Sequence, residues 1–203
     1  MLRYIADIST VIIGSLIVAI GILFFLESGH GADPLSTFLL GIINYIAVSI
    51  GLASQIFNLG ILAIMFIINK RLLGVGSLLN AFFVGFFINI CEQPLSFVAA
   101  YIPIIVQVLI GPLLLGIGTG IYLSARLGSG AIESFMLYLV EKIKISIKVS
   151  RMLLDGFFVI SGIALGGTWG IGSVLGIALI GPIAEVTLRL IERLTRSHTH
   201  GKS

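Results

Sequence analysis

Eight polar side chains lie within or against strongly apolar stretches of this sequence. They form four pairs when the chain is aligned with itself at a shift of 97 residues, or 96 for the last pair: Ser36 with Glu133, Thr37 with Ser134, Asn58 with Asp155, and Asn89 with Glu185. In three of the pairs the first half carries a neutral hydrogen-bonding group and the second half a carboxylate. Polar groups inside a bilayer are costly and mark solute or ion routes. We expect these residues to converge on a substrate-binding cavity, with Arg151 near one mouth.

Structural roles are the alternative for these residues. Asn58 and Asn89 could tie helices together by interhelical hydrogen bonds, worth about 0.6 kcal/mol each. Glu133 could do no more than compensate a helix dipole. Two carboxylates have an arginine four positions away and could form ion pairs within a helix: Asp155 with Arg151, and Glu185 with Arg189.

The composition of the chain indicates which elements hold these residues. The 203 residues are 58% hydrophobic and only 10% charged, whereas a soluble domain carries about 25% charged residues. The sequence therefore predicts an integral membrane protein, with the lipid bilayer as its first partner. A net charge of +3 does not indicate a nucleic-acid partner. The single cysteine, Cys91, excludes an intramolecular disulfide and a cysteine-based metal cluster.

Six apolar segments are long enough, at about 20 residues, to cross the hydrocarbon layer as helices. They lie near 7–27, 51–69, 73–91, 102–125, 150–167 and 171–190. Two shorter apolar segments, 34–48 and 131–149, each follow a glycine-rich break. The sequence thus predicts an all-α polytopic membrane protein with six transmembrane helices and two short re-entrant or interfacial helices.

Both short segments have recognisable helix starts. Asp33 is suited to the N-cap position with Pro34 at the first helical position, and Glu133 falls in the first turn of the second segment. Four charged residues of that segment share a narrow arc: Glu133, Glu141, Lys144 and Lys148. Such a stripe predicts a helix that lies at an interface or lines a wet surface. We expect Glu27, His30 and Asp33, in the first break, to be solvated loop residues rather than a cation site.

The distribution of Lys and Arg predicts the topology. With six spans and both termini in the cytoplasm, all 12 of these residues lie on the cytoplasmic side. The outer segments 28–50, 92–101 and 168–170 contain none. If both short helices crossed the membrane, Lys70, Arg71 and Arg126 would face outward, so the six-span arrangement is favoured.

An internal repeat accounts for the two glycine-rich breaks. Residues 11–38 align with 108–135 with nine identities in 28 positions, and six glycines recur in order across the two halves. We expect a first repeat at 1–98, a second at 99–192 and a basic cytoplasmic tail at 193–203. Each repeat contains three crossings, an odd number, so the second repeat is inverted relative to the first. Inverted repeats with discontinuous helices are typical of membrane transporters.

Three stretches resemble the YczE/YyaS/YitT group of bacterial membrane proteins: ARLGSGAIES at 125–134, GVGSLLNAFFVGFFIN at 74–89 and GGTWGIGSVLGIALIGPIAE at 166–185. That group shows an A-x-L-G-x-x-P-x-D signature after the first helix of each half. The first copy here keeps Gly31 and Pro34 but has Ser36 where an acid is usual, and the second has Ala131 in place of proline. The resemblance covers nearly the whole chain and implies a bacterial cytoplasmic membrane location and this fold.

The predicted function is movement of a small solute or ion through a polar site near the membrane midplane, by a transporter or channel. A thin bundle of six spans is compatible with a homodimer. The sequence shows no nucleophile–base pair, P-loop, zinc motif or dinucleotide fingerprint, so we expect no enzymatic activity, no cofactor and no metal. The alternative is a non-transporting accessory or regulatory subunit that supports another protein or a secretion pathway. Lipid handling is a third option.

Overall fold

A computed structural model describes residues 2–200 of the chain, and the chain in this range is helical throughout apart from short connections. The eight α-helices are α1 (Leu2–Ser28), α2 (Pro34–Ile43), α3 (Ile50–Asn69), α4 (Val75–Ala99), α5 (Ile104–Ser124), α6 (Ala131–Ile143), α7 (Ile147–Ala164) and α8 (Ile171–His200). A short 3-10 turn at Lys70–Leu72 joins α3 to α4. The predicted all-helical fold class is confirmed.

Side-chain caps explain where three of the helices begin. Asp33 caps α2 by accepting a hydrogen bond from the Ser36 amide at 3.2 Å, and Pro34 occupies the first helical position as predicted. Ser49 and Ser146 cap α3 and α7 in the same way, each through the amide three residues later. These two serines are 97 residues apart, which is the shift of the sequence repeat.

The short helices end earlier than the sequence pattern predicts. α2 stops at Ile43 rather than 48, and α6 stops at Ile143 rather than 149. Lys144 takes a left-handed conformation, with φ of 58°, and caps α6. Because Lys148 belongs to the next helix, α7, the predicted charged stripe on one helix is wrong. Hydropathy could not locate this break, since charged and apolar residues alternate on both sides of it.

Five helices among the described residues are long and apolar enough to cross a membrane: Tyr4–Ser28, Ile50–Leu72, Val75–Ala99, Ile104–Ser124 and Ile171–Thr195. The predicted span at 150–167 corresponds to α7, which has 18 residues and carries Lys148, Arg151 and Asp155. The described residues therefore contain five helices with the length and composition of membrane spans, and α7 is not one of them.

Helix packing is centred on the contact between α1 and α5. A side chain on Gly14 would lie 2.7 Å from the Tyr122 amide nitrogen, and one on Gly118 would lie 2.6 Å from that of Val18. Small residues at these positions let the two backbones approach closely in a lipid environment. Around this pair, α4 packs on α1 and α8 on α5, while α2 packs on α7 and α6 on α3.

The two glycine-rich breaks dock in the same way on the starts of α8 and α4. The carbonyl of His30 accepts a hydrogen bond from the Gly172 amide at 2.9 Å. The carbonyl of Leu127 accepts the equivalent bond from the Gly76 amide at 2.8 Å. Gly31 and Gly128 have φ of 105° and 115°, a region that favours glycine. Both breaks are therefore fixed by contacts with a distant helix and are not free loops.

At the C-terminal end, α8 continues to His200, and residues 201–203 lie outside the described part of the chain. Most of the predicted tail at 193–203 is consequently the last part of a long helix.

Candidate functional site: a polar cavity between the short helices

A cavity of about 100 Å³ lies where the first turns of α2 and α6 meet α1, α3, α4, α5 and α7. Its polar lining comes from both halves of the chain: Asp33, Ser36, Ser54, Asn58 and Asn80 from the first, and Thr119, Tyr122, Glu133, Arg151 and Asp155 from the second. The remaining walls are mostly aliphatic, with Phe158 as the aromatic exception. The cavity therefore combines a charged region with an apolar wall.

The arginine and aspartate of α7 form an ion pair at this cavity. The Nε of Arg151 donates a hydrogen bond to Oδ2 of Asp155 at 2.8 Å, and the aspartate side chain is only 5% exposed. This ion pair within one helix is the structural alternative considered from the sequence. Both residues also line the cavity, together with Glu133. The pair thus belongs to the cavity as well as to the helix.

The equivalent turn of α3 carries neutral groups in the same arrangement. The side-chain amide of Asn58 donates to the Ser54 carbonyl at 2.8 Å and to the Ser54 hydroxyl at 3.2 Å. Ser54 and Asn58 match Arg151 and Asp155 at the 97-residue shift. These bonds of Asn58 lie within α3, unlike the interhelical bonds considered from the sequence. One half of the cavity is therefore charged where the other is neutral.

Asp33 was expected to be a solvated loop residue, and this is wrong. The docked break buries it to 7% exposure, and its side chain lines the cavity. Its Oδ2 accepts the Ser36 amide, whereas its Oδ1 is buried and has no hydrogen-bond partner among the described residues. Burial raises the pKa of this carboxyl, because removal from water disfavours the charged form. A buried acceptor without a partner requires an explanation.

Glu133 lies in the first turn of α6, as predicted, and is partly buried. Its carboxylate and the hydroxyl of Tyr122 both lie against Gly130, the residue that precedes α6. Gly130 matches Asp33 at the 97-residue shift, so each short helix has one carboxylate at its start, at non-equivalent positions. Negative charge is favoured at the positive end of a helix dipole.

Four of the eight predicted site residues line the cavity: Ser36, Asn58, Glu133 and Asp155. Two others hold the backbone just before the short helices, where Thr37 donates to the Ala32 carbonyl and Ser134 to the Ser129 carbonyl. The remaining two lie elsewhere. Asn89 is exposed on α4 with its side chain against Gly51 of α3, and Glu185 is an exposed partner of Arg189 on α8. The ion pair of Glu185 was the structural alternative considered from the sequence.

Sequence reasoning missed five polar lining residues: Asp33, Ser54, Asn80, Thr119 and Tyr122. Ser54 had a detectable signal, since it matches Arg151 in the repeat. Asn80 had a weaker one, as a polar residue inside an apolar span. In the structure its amide donates to the buried hydroxyl of Ser15 on α1 at 3.0 Å. Thr119 and Tyr122 have apolar counterparts in the repeat and offered no signal.

The cavity does not have the ligand geometry of a metal centre. Among the side chains that the structure describes, no group of three or more His, Cys, Asp or Glu residues is placed to hold a metal ion. His30 lies close to its own break instead, with Nδ1 2.6 Å from the Ser28 carbonyl oxygen. The chemistry available is therefore electrostatic recognition and hydrogen bonding by three carboxylates, one guanidinium and several neutral groups.

Comparison with known proteins agrees with the sequence resemblance. A relative from Haemophilus influenzae, named only as an uncharacterized protein, is 31% identical over 187 residues, which cover 92% of this chain and 85% of the relative. Uncharacterized protein YyaS of Bacillus subtilis is 27% identical over 89% of this chain and 92% of its own length. Uncharacterized membrane protein YczE of the same organism is 27% identical over 86% of this chain and 82% of its own length. No solved structure matches the chain significantly.

A family profile matches residues 5–189, which include every residue that lines the cavity. The similarity to YyaS and YczE confirms the group that the glycine motifs indicated. This multi-pass membrane protein therefore belongs to the family of unknown function DUF6198.

Proposed function

We propose that this protein moves a small solute or ion across the membrane and binds it in the cavity between the two short helices. The observation that carries the proposal is the buried Oδ1 of Asp33, a residue that lines this cavity, because this oxygen has no partner among the described residues. An unsatisfied buried acceptor costs about 1–3 kcal/mol. Such a cost is retained where a bound molecule supplies the missing partner.

Inverted repeats are part of this proposal. Seven pairs of cavity residues match at the 97-residue shift: Val18 with Leu115, Ile22 with Thr119, Pro34 with Ala131, Leu35 with Ile132, Ser36 with Glu133, Ser54 with Arg151, and Asn58 with Asp155. Residues related by a pseudo-twofold axis meet around that axis, where transporters of this construction bind their substrates. The exchanged packing of α2 on α7 and of α6 on α3 supports the same arrangement.

In this arrangement the repeats are 1–98 and 99–192. α7 crosses the membrane together with α1, α3, α4, α5 and α8, and α2 and α6 are re-entrant half-helices. Both termini lie in the cytoplasm, and the membrane is the bacterial cytoplasmic membrane. The support is the absence of Lys and Arg from the predicted outer segments of the sequence. The exposed apolar surface of the six-span bundle is available to lipid or to a second copy of the chain.

Site-specific labelling tests the topology. Cys91→Ser provides a cysteine-free background, and Tyr101→Cys and Lys142→Cys then place single thiols at exposed positions. In oriented vesicles we expect a membrane-impermeant maleimide to label the first from outside and the second from the cytoplasmic side. Labelling of both from one side would contradict the inverted arrangement.

Ligand-dependent stability tests the function. Purified protein is heated with a broad panel of ions, amino acids, amines, sugars, nucleosides and lipids, because a ligand of the folded state raises apparent stability by RT ln(1 + [L]/Kd). We expect a selective hit, followed by uptake of the same compound into proteoliposomes that contain the protein. A panel without any hit, from folded protein with a working control, would contradict the proposal and favour the accessory-subunit alternative.

A further inference from the structure

We infer that the molecule bound in this cavity is a small organic monocation, whose ammonium group contacts Asp33 and Glu133 and whose hydrocarbon part contacts the apolar wall. The inference rests on the proposed function in taking the cavity as the binding site, and it specifies the class of substrate. Three observations support it: the excess of carboxylates over guanidinium groups in the cavity, the unpartnered oxygen of Asp33, and the apolar side chains of the wall.

The charges of the cavity favour a cation. Three carboxylates line it, from Asp33, Glu133 and Asp155, against the single guanidinium of Arg151. The guanidinium is already hydrogen-bonded to Asp155 at 2.8 Å. An anion would have to compete for Arg151 while it faced the other carboxylates. A monocation would offset one of the two uncompensated negative charges without disturbing the existing ion pair.

The free oxygen of Asp33 specifies a hydrogen-bond donor. Asp33 lines the cavity, and its Oδ1 is buried and unpartnered among the described residues, while Oδ2 is used by the cap of α2. A buried carboxylate is stabilised by an opposite charge within hydrogen-bond distance. An ammonium group has three N–H donors and can serve more than one carboxylate acceptor at once.

The wall indicates an organic cation rather than a bare metal ion. Val18, Ile22, Leu39, Val84, Leu115 and Phe158 face the same space as the carboxylates. Aliphatic and aromatic surface is favourable for a hydrocarbon chain and offers nothing to a hydrated ion. Phe158 also presents a ring on which a cation is attracted by the π-system. Within the described chain no cluster of acidic or histidine side chains has metal-ligand placement.

Binding of matched probes tests the inference. Methylammonium, n-butylammonium, n-butanol, butyrate and potassium ions are each titrated into the purified full-length protein, with thermal stability and calorimetry as readouts. We expect n-butylammonium to stabilise the protein and to bind at least tenfold more tightly than n-butanol or butyrate, which have the same hydrocarbon part. Potassium should bind more weakly than the organic cation.

Two charge-neutral variants and one control locate the site. Asp33→Asn removes the charge and retains the helix cap, because Asn caps helices about as well as Asp, and Glu133→Gln makes the same change at α6. Each should weaken n-butylammonium binding at least tenfold. Glu185→Gln removes a carboxylate from an exposed ion pair outside the cavity and should leave binding unchanged. If Asp33→Asn does not fold, Glu133→Gln decides the question by itself.

The outcomes separate this inference from the proposed function. Preferential binding of butyrate, of n-butanol or of potassium alone would overturn the inference of an organic cation. The proposed movement of a solute or ion would not be contradicted by that result. Binding of n-butylammonium that survives both Asp33→Asn and Glu133→Gln would also overturn it, because the cation would then bind elsewhere. A panel of all solute classes without any hit would overturn the proposed function together with the inference.

Discussion

The helix pair α3–α4 and its counterpart α7–α8 occupy equivalent places in the two halves but pack differently. In the first half the backbones almost touch, since a side chain on Gly85 would lie 2.3 Å from the Gly51 carbonyl oxygen. In the second half, Gly181, which matches Gly85, has no atom within 4 Å of the position of such a side chain. The contact between α7 and α8 is correspondingly slight. The same sequence pattern therefore supports one closed helix pair and one open pair.

The polar side chains of these two helix pairs also differ. The closed half contributes Ser54 and Asn58, which bond to each other within α3. The open half contributes Arg151 and Asp155, joined by an ion pair. Charge and loose helix packing thus occur together in the second half.

The largest expected effect comes from removing only one of the two charges of the Arg151–Asp155 ion pair. Asp155→Asn should lower the free energy of unfolding by about 3 kcal/mol, because it leaves Arg151 without its buried partner. The double change Arg151→Ser with Asp155→Asn recreates the pair found in α3 and should recover a substantial part of that loss. Denaturation of both variants in detergent micelles provides the measurement. Equal stability of the single and double variants would mean that the two residues are not coupled.

The next effect concerns the closed helix pair. Gly85→Ala should lower the free energy of unfolding by about 2 kcal/mol, because the new methyl group forces the α3 and α4 backbones apart. Gly181→Ala, the matched control in the open pair, should change it by less than about 0.5 kcal/mol. The comparison is made by denaturation under identical conditions. Similar losses in both variants would show that α7 and α8 are also closely packed in solution.

A bulkier residue in the open pair distinguishes packing from movement. Gly181→Leu has room in this arrangement, so we expect a nearly unchanged unfolding free energy. If transport requires α7 and α8 to close, uptake into proteoliposomes should fall about fivefold, which corresponds to about 1 kcal/mol in the barrier. Uptake at the original rate in a normally folded variant would argue against closure of this pair.

The smallest effect is expected at the exposed ion pair of α8. Glu185→Ala should change the free energy of unfolding by less than about 0.5 kcal/mol, because Glu185 and Arg189 are both largely exposed and such pairs contribute little. Increasing the salt concentration should reduce even this difference. A loss as large as that of Asp155→Asn would require a buried role for Glu185 that its exposure does not indicate.

A large part of the fold was predictable from local features. The low charge content and long apolar runs indicated a helical membrane protein, and the start of α2 followed from Asp33 and Pro34. The ends of α2 and α6 were not predictable from hydropathy, because apolar residues continue past the end of α2, and charged and apolar residues alternate around the end of α6. The predicted span at 150–167 is as long as α7, a helix of 18 residues, but α7 carries charged side chains and is not among the five clearly apolar helices of the described residues.

The candidate site was predictable only where the repeat aligned polar residues. Ser36, Asn58, Glu133 and Asp155 were found in this way and line the cavity. Asn89 and Glu185 were also paired by alignment, at a shift of 96, but lie outside the cavity, because an alignment of sequence positions does not report their distance from a cavity. Thr37 and Ser134 are also equivalent, and in both halves they hold the backbone that precedes a short helix.

The sequence by itself determined the membrane environment, the helical fold class and the family, because these follow from composition, hydropathy and local motifs. Only the tertiary structure decided the place of Asp33. In the sequence this residue belongs to a glycine-rich break with a histidine and resembles a solvated loop. In the structure the break docks on the start of α8 through the His30 carbonyl and the Ser173 hydroxyl, which removes Asp33 from solvent. Burial of this kind depends on contacts between residues more than 130 positions apart, which hydropathy and helix signals do not contain.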